Sequence, residues 1–281
     1  MKGYVKQLAT LALGALVAAG LLVGRAGAPD AASAAPVARA AGSTRSDGPL
    51  PGFRRVVFLS HVNDPATVPL FPGDPEFTLT PVFTIPEDGF YLNLIHEGEH
   101  TGTHFSAPCH FNEGQRCADQ LAARDYLRPA VVIDVRRQAA ADADFEVSVA
   151  DIRRFERRHG RIPANAAVIA RTGWAEKWGT PAYYNFDAEG NVHQPGFSLE
   201  AARWLIAHRR LGALGTDTFG PEAATDTEFR VSALVLHGHR LVLENLDGLG
   251  RMPAVGGWVV VGGPRNKAGS GAPSTIFGLV P

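Results

Sequence analysis

Gly98-Glu99-His100-Thr101-Gly102-Thr103-His104-Phe105-Ser106-Ala107-Pro108-Cys109-His110-Phe111 holds three of the chain's ten histidines within eleven residues. His100 and His104 stand four apart, a spacing that puts both imidazoles on one face of a helix and equally on one side of an extended strand. Either arrangement can chelate a metal ion. His110 shares their parity but follows Pro108, which interrupts any regular element and lets the ring swing independently. Gly102 allows the backbone to pass close to whatever the two rings hold. A lone histidine is usually a hydrogen-bonded structural residue; three so close, among Gly, Thr and Pro, point to a metal or acid-base site.

Upstream, residues 54–61 have the β-branched density of a strand and run into the turn cluster Asn63-Asp64-Pro65. Pro69-Leu70-Phe71-Pro72-Gly73-Asp74-Pro75 then sets rigid prolines around an aromatic, a way to hold a ring over a cleft. Downstream, residues 131–135 and 166–170 are continuous apolar strands. Ser148 and Asp151 open a charged helix that stops at Gly160, and Ser198 opens a second that stops at Gly212. Residues 175–196 are aromatic and aperiodic, the pattern of a lid or binding rim. Residues 211–218 form a strand with a polar end. Residues 234–246 read as apolar segment, turn and strand, and a carboxylate in that strand, Glu244, calls for a cation beside it. Trp258 to Val261 closes the sheet, and the tail after Gly262 reads as irregular. The β-branched strands with two capped helices give an α/β fold.

The histidine run resembles the H-x-G-T-H-x-D-x-P-x-H signature of the bacterial cyclase family, which includes arylformamidases (kynurenine formamidases), isatin hydrolases and some lactone hydrolases. His100, Gly102, Thr103, His104, Pro108 and His110 match it. Leu59-Ser60-His61, the proline-bracketed loop, Arg171-Thr172-Gly173-Trp174, Gly215-Thr216-Asp217-Thr218 and Glu244-Asn245-Leu246 match further family segments in order, over roughly residues 54–262. The resemblance implies a mixed β-sheet or barrel-like core with helices packed outside, and a homodimer or larger assembly. It also implies metal ligation by His100, His104 and Glu244, substrate contact by Phe71, and acid-base work by His110.

Two family ligands are missing. Ser106 replaces the signature aspartate, and Ser232 stands where a histidine is expected twelve residues before the glutamate. The expectation is therefore one divalent metal, Zn or Mn, rather than two, with Ser106 turned to the substrate or to water. Such a site hydrolyses a small amide, formamide or lactone bond. Two readings compete: a metal-poor cyclase of polyketide-like substrates, and a degenerate non-catalytic binding homologue. His237 and His239 read as ordinary turn histidines. Cys109 and Cys117 leave open both a bridge and a thiol nucleophile beside His110.

Residues 1–40 differ in kind. Lys2 and Lys6 precede an apolar run and then Ala/Ser/Pro-rich sequence with Ala-x-Ala sites at 32–34 and 38–40, the order of a signal peptide. No cysteine lies near the run, which excludes a lipoprotein anchor. Residues 41–50 read as a linker and 51–281 as the hydrolase domain. The expectation is a secreted or periplasmic protein without stable membrane insertion after processing. With formal charge −1 and 20% charged residues, nothing marks a nucleic-acid partner; a small-molecule substrate is expected.

Overall fold

The structure, a computed structural model, describes residues 52–281. The signal-peptide and linker assignments lie outside the described residues. A nine-stranded mixed sheet dominates, in the order Arg55–Phe58, Thr275–Val280, Gly257–Gly262, Leu127–Asp134, Ala167–Arg171, Ala213–Thr216, Leu241–Glu244, His104–Ser106, Gly271–Pro273. The four strands from Leu127–Asp134 to Leu241–Glu244 run parallel, and the flanking pairs are antiparallel. This is the expected mixed α/β core.

Both faces of the parallel strands are buried, which is why they read as unbroken apolar runs rather than alternating ones. Alternation still sorts their side chains. Val131, Ile133, Val168 and Leu214 meet Ile152, Phe155, Ala201 and Leu205 of the outer helices. Val132, Ile169 and Leu243 face inward against Leu59, Phe105 and Ile276. The helix Val149–His159 starts on the expected box: Ser148 Oγ accepts from Asp151 N, and the Asp151 carboxylate accepts from Ser148 N. Its charged face is solvated apart from Asp151, which pairs with Arg154, and Glu156, which pairs with Arg209 of Leu199–Arg209.

Several expectations change. The second helix ends not at Gly212 but on Arg210, in the left-handed region at φ 52°. Gly212 serves close approach instead, since a Cβ there would lie 2.3 Å from the Asn165 carbonyl oxygen. The apolar segment before the last turn is the helix Arg230–Val235. Trp258–Val261 lies inside the sheet, because the tail supplies two more strands, Gly271–Pro273 and Thr275–Val280. Small residues hid the first: a Cβ on Gly271 would lie 2.3 Å from the Phe105 carbonyl oxygen and 2.8 Å from the His100 ring. An antiparallel hairpin, Thr78–Phe83 with Leu92–His96, was not anticipated at all.

Residues 175–196 form a packed wall rather than a lid. Tyr183 is fully buried, Trp174 Nε1 donates to its carbonyl, and His61 stacks on Trp178 with ring centroids 3.9 Å apart. Only Gly190 to Val192 and Gln194 of this segment reach the cavity described below. Among the described residues no helix is long and apolar enough to cross a membrane.

Candidate active site

His104 and Glu244 sit directly opposite each other on adjacent antiparallel strands, so sheet register alone delivers an imidazole to a carboxylate. His104 Nδ1 donates to the Gly102 carbonyl at 2.9 Å. That bond fixes the tautomer, leaving the Nε2 lone pair free. Nε2 is buried without a hydrogen-bond partner and lies against Glu244 Oε2. Gly102 itself adopts φ 64°, and any Cβ there would strike Asn63.

His100 enters from the preceding loop and is held from behind. Ser270 Oγ donates to Glu99 at 2.7 Å, so it accepts from His100 Nε2 at 2.9 Å. The lone pair of His100 therefore falls on Nδ1, which faces Ser106 Oγ at 3.3 Å. One ligand atom each from His100, His104 and Glu244 lie within 4.8 Å of one another, the one such group among the described residues. Two lone pairs and a carboxylate, with His104 and Glu244 buried and His100 half-buried, call for a positive charge between them. The donor set therefore fits a divalent ion of the N,N,O type. Among the described residues a second ion finds no comparable group.

Electrostatics agree with a cation-seeking site. Burial depresses His100, and the neighbouring His104 and His110 depress it further. Burial also opposes charge on His104, but Glu244 and the Gly102 carbonyl outweigh it and raise its pKa. His110 is lowered by burial, with Glu244 opposing. Its ring stacks on His100 at 3.9 Å between centroids.

The two serines behave differently from the ligands they replace. Ser106, expected to face substrate or water, does not line the cavity; its hydroxyl reaches His100 Nδ1 and, at 3.4 Å, Glu244 Oε2, so it braces these two side chains. Ser232 holds Glu222, donating from its backbone N at 2.7 Å and from Oγ at 2.8 Å. Glu222 and Asp74 both line the cavity, and sequence reading assigned neither a role. Asp74 stands inside the proline-bracketed loop 69–75; Glu222 carries no signal beyond a carboxylate soon after Thr218.

The cavity, about 420 Å³, opens between Phe71, Phe219 and Phe229, with the three histidines and Glu244 at its base. Phe71 meets Phe219 and Phe229 edge-on at 5.7 and 6.0 Å. Phe229 is held at φ 53°, a strained backbone for a bulky residue. The remaining motifs build the frame. Asp217 accepts from Thr172 N, Thr172 Oγ1 and Gly173 N, tying two segments together. Asn245 donates to the Gly102 carbonyl and accepts from the Tyr183 hydroxyl. Cys109 and Cys117 are bridged, which removes the thiol nucleophile from consideration.

Burial pushes Glu222 up to about 7 despite the Ser232 hydrogen bonds. Its folded pKa then exceeds the unfolded one, so the folded state holds more protons between about pH 4.5 and 7 and loses stability as pH rises through that window. The cost at pH 8 is on the order of 3 kcal/mol. In chelator-treated protein this loss opposes the stability gained over the same range by His100 and His110, which burial keeps neutral while their unfolded counterparts are protonated at pH 5. The test is therefore a difference: Glu222→Gln should gain melting temperature relative to the wild type between pH 5 and pH 8. A difference that stays constant across that range would show that Glu222 ionises normally.

The Cyclase family's sequence profile matches residues 57–223. An isatin hydrolase of Roseibium aggregatum is 30% identical over 200 residues, 68% of this chain and 76% of that protein. A kynurenine formamidase of Salinibacter ruber is 34% identical over 86 residues, 30% of this chain and 40% of that one. Among solved structures, isatin hydrolase A from Labrenzia aggregata bound to benzyl benzoate aligns with a TM-score of 0.75 and 31% identity, covering 80% of this chain and 93% of that one.

Proposed function

The chain belongs to the cyclase family, and from that premise we propose that it is a metal-dependent hydrolase of a small amide bond in an aromatic substrate. The convergence of His100, His104 and Glu244 at the base of an aromatic cavity carries this reading. His100, His104 and Glu244 would hold a divalent ion there, which would supply Lewis-acid polarisation of the carbonyl and a lowered pKa for water. Zinc suits two imidazoles and a carboxylate, with manganese as the alternative.

The chain's own groups do the rest. Phe71, Phe219 and Phe229 offer a flat ring apolar contact and exclude water. His110, kept neutral by burial, accepts a proton from the attacking water and returns it to the departing nitrogen. Glu222 is a second proton carrier near neutral pH. Converging donors and a facing acid-base histidine favour a hydrolase over a passive binder or a metal-free cyclase.

A panel of isatin, a formanilide and an aromatic lactone tests the reading. Hydrolysis of the amides should vanish on chelation and return with about one equivalent of Zn²⁺ or Mn²⁺. Undiminished turnover by metal-free protein, or none with any ion, would sink it.

We extend the proposal to assembly and location. In the unanticipated hairpin, Phe90, Tyr91, Leu94 and Ile95 are each more than half exposed, and Leu79, Phe83 and Leu92 over a third. A bare two-stranded hairpin is marginal in water. These side chains offer on the order of 800 Å² per copy, the area a stable dimer buries on each side. A second copy of the chain is the occupant proposed. Light scattering should give twice the chain mass, and Leu94→Asp a monomer; a monomeric wild type contradicts it. The basic and apolar N-terminal run, with a bridged cysteine pair, supports export to an oxidising compartment. Exported protein should begin after Ala34 or Ala40, and retention of the full chain in the cytoplasm would refute this.

A further inference from the structure

A second cavity, about 680 Å³, lies at the opposite end of the parallel strands from the catalytic group. Its floor is where the strands begin: Asn165 precedes Ala167–Arg171, Gly212 precedes Ala213–Thr216, and Arg240 precedes Leu241–Glu244. Glu244 ends the strand that Arg240 starts, so the two cavities share a strand but not a wall.

The lining is cationic. Arg116, Arg124, Arg128, Arg210 and Arg240 face it with His239, against a single carboxylate, Asp125. That carboxylate is already committed to the buried Arg128 at 3.0 Å. None of the other four arginines pairs with a carboxylate among the described residues. Arg240 is half-buried, and its guanidinium is met only by the backbone carbonyls of Val235 and His237. Arg116 finds only an imidazole nitrogen, that of His239 at 2.8 Å.

Four guanidinium groups without a carboxylate partner, Arg116 and Arg240 half-buried and Arg124 and Arg210 exposed, gather around one concave space, and a bound anion would offset their mutual repulsion. Guanidinium forks match the paired oxygens of phosphate and carboxylate, and the volume suits a small organic molecule rather than a single inorganic ion. We propose that this cavity binds a small multiply charged oxyanion, carrying two or more phosphate or carboxylate groups, separately from the amide substrate.

Calorimetric titration of the full chain with sodium pyrophosphate and with citrate, against sodium chloride of equal ionic strength, tests the proposal. Saturable binding of one equivalent is expected. Arg124 and Arg210 are exposed and bond to no carboxylate, so their loss should leave the fold intact. Arg124→Ala and Arg210→Ala should each weaken binding about tenfold or more. Preference for pyrophosphate assigns the ligand to the phosphates and preference for citrate to the polycarboxylates; either supports the site. No heat beyond the chloride control, or wild-type affinity in the Arg124→Ala, Arg210→Ala double variant, overturns it. Pyrophosphate and citrate also chelate divalent ions, so the titration is repeated on the Glu244→Gln protein, and binding that survives there is independent of the hydrolase reading.

Discussion

Glu244→Gln is expected to empty the site of metal and lower kcat/KM by on the order of 10³-fold or more, because it removes the one anionic donor while keeping the side chain's shape. The packing consequence is small, since Gln fills the same volume opposite His104. Removing His104 instead leaves Glu244 buried without its neighbour, which costs about 3–5 kcal/mol on top of the lost ligand. His104→Ala should therefore lose metal, activity and melting temperature together, whereas Glu244→Gln should lose the first two and keep most of the third. Metal analysis of the purified variants, alongside thermal melts, separates the cases. A Glu244→Gln protein that still holds one equivalent of metal and turns over at the wild-type rate would falsify the ligand assignment.

His110→Ala should behave in the opposite sense with respect to the ion. His110 stacks on His100 but is not one of the three converging donors. Metal content is expected to stay at the wild-type level while kcat falls by roughly 10²–10⁴-fold, the usual contribution of a positioned acid-base group. KM should change little, because on the proposed reading the substrate's apolar contact falls to Phe71, Phe219 and Phe229, which line the cavity and which this variant leaves in place. Steady-state kinetics on the substrate cleaved fastest, with metal content measured in parallel, provides the check. Activity within a few-fold of wild type would remove His110 from the reaction and leave Glu222, the carboxylate of the cavity lining that burial pushes up to about 7, as the candidate proton carrier.

Together the two variants distinguish holding the ion from moving the proton. The bridge between Cys109 and Cys117 bears on the second, since it fixes the backbone immediately before His110. His110 N also donates to the Ala107 carbonyl, and Cys109 N to that of Arg116. His110 thus stands in an anchored turn rather than on a free segment.

Sequence alone determined the local parts. Ser148 and Asp151 announced a helix because a capping box is a contact between residues three apart. The apolar runs at 131–135 and 166–170 announced strands buried on both faces. His100, His104 and the misplaced carboxylate of Glu244 announced a cation, since charge burial is legible from residue type and neighbourhood. What the sequence could not carry was any relation set by register or by return of the chain. Ser232 reads as a lost ligand and proves to be the support of Glu222. Glu99 and Ser270 lie far apart in the chain, yet together they orient His100. Periodicity tells a side chain which face to take but not which strand will stand opposite, so the pairing of His104 with Glu244 and the gathering of arginines at the far end of the sheet were decided only when the strands found their order.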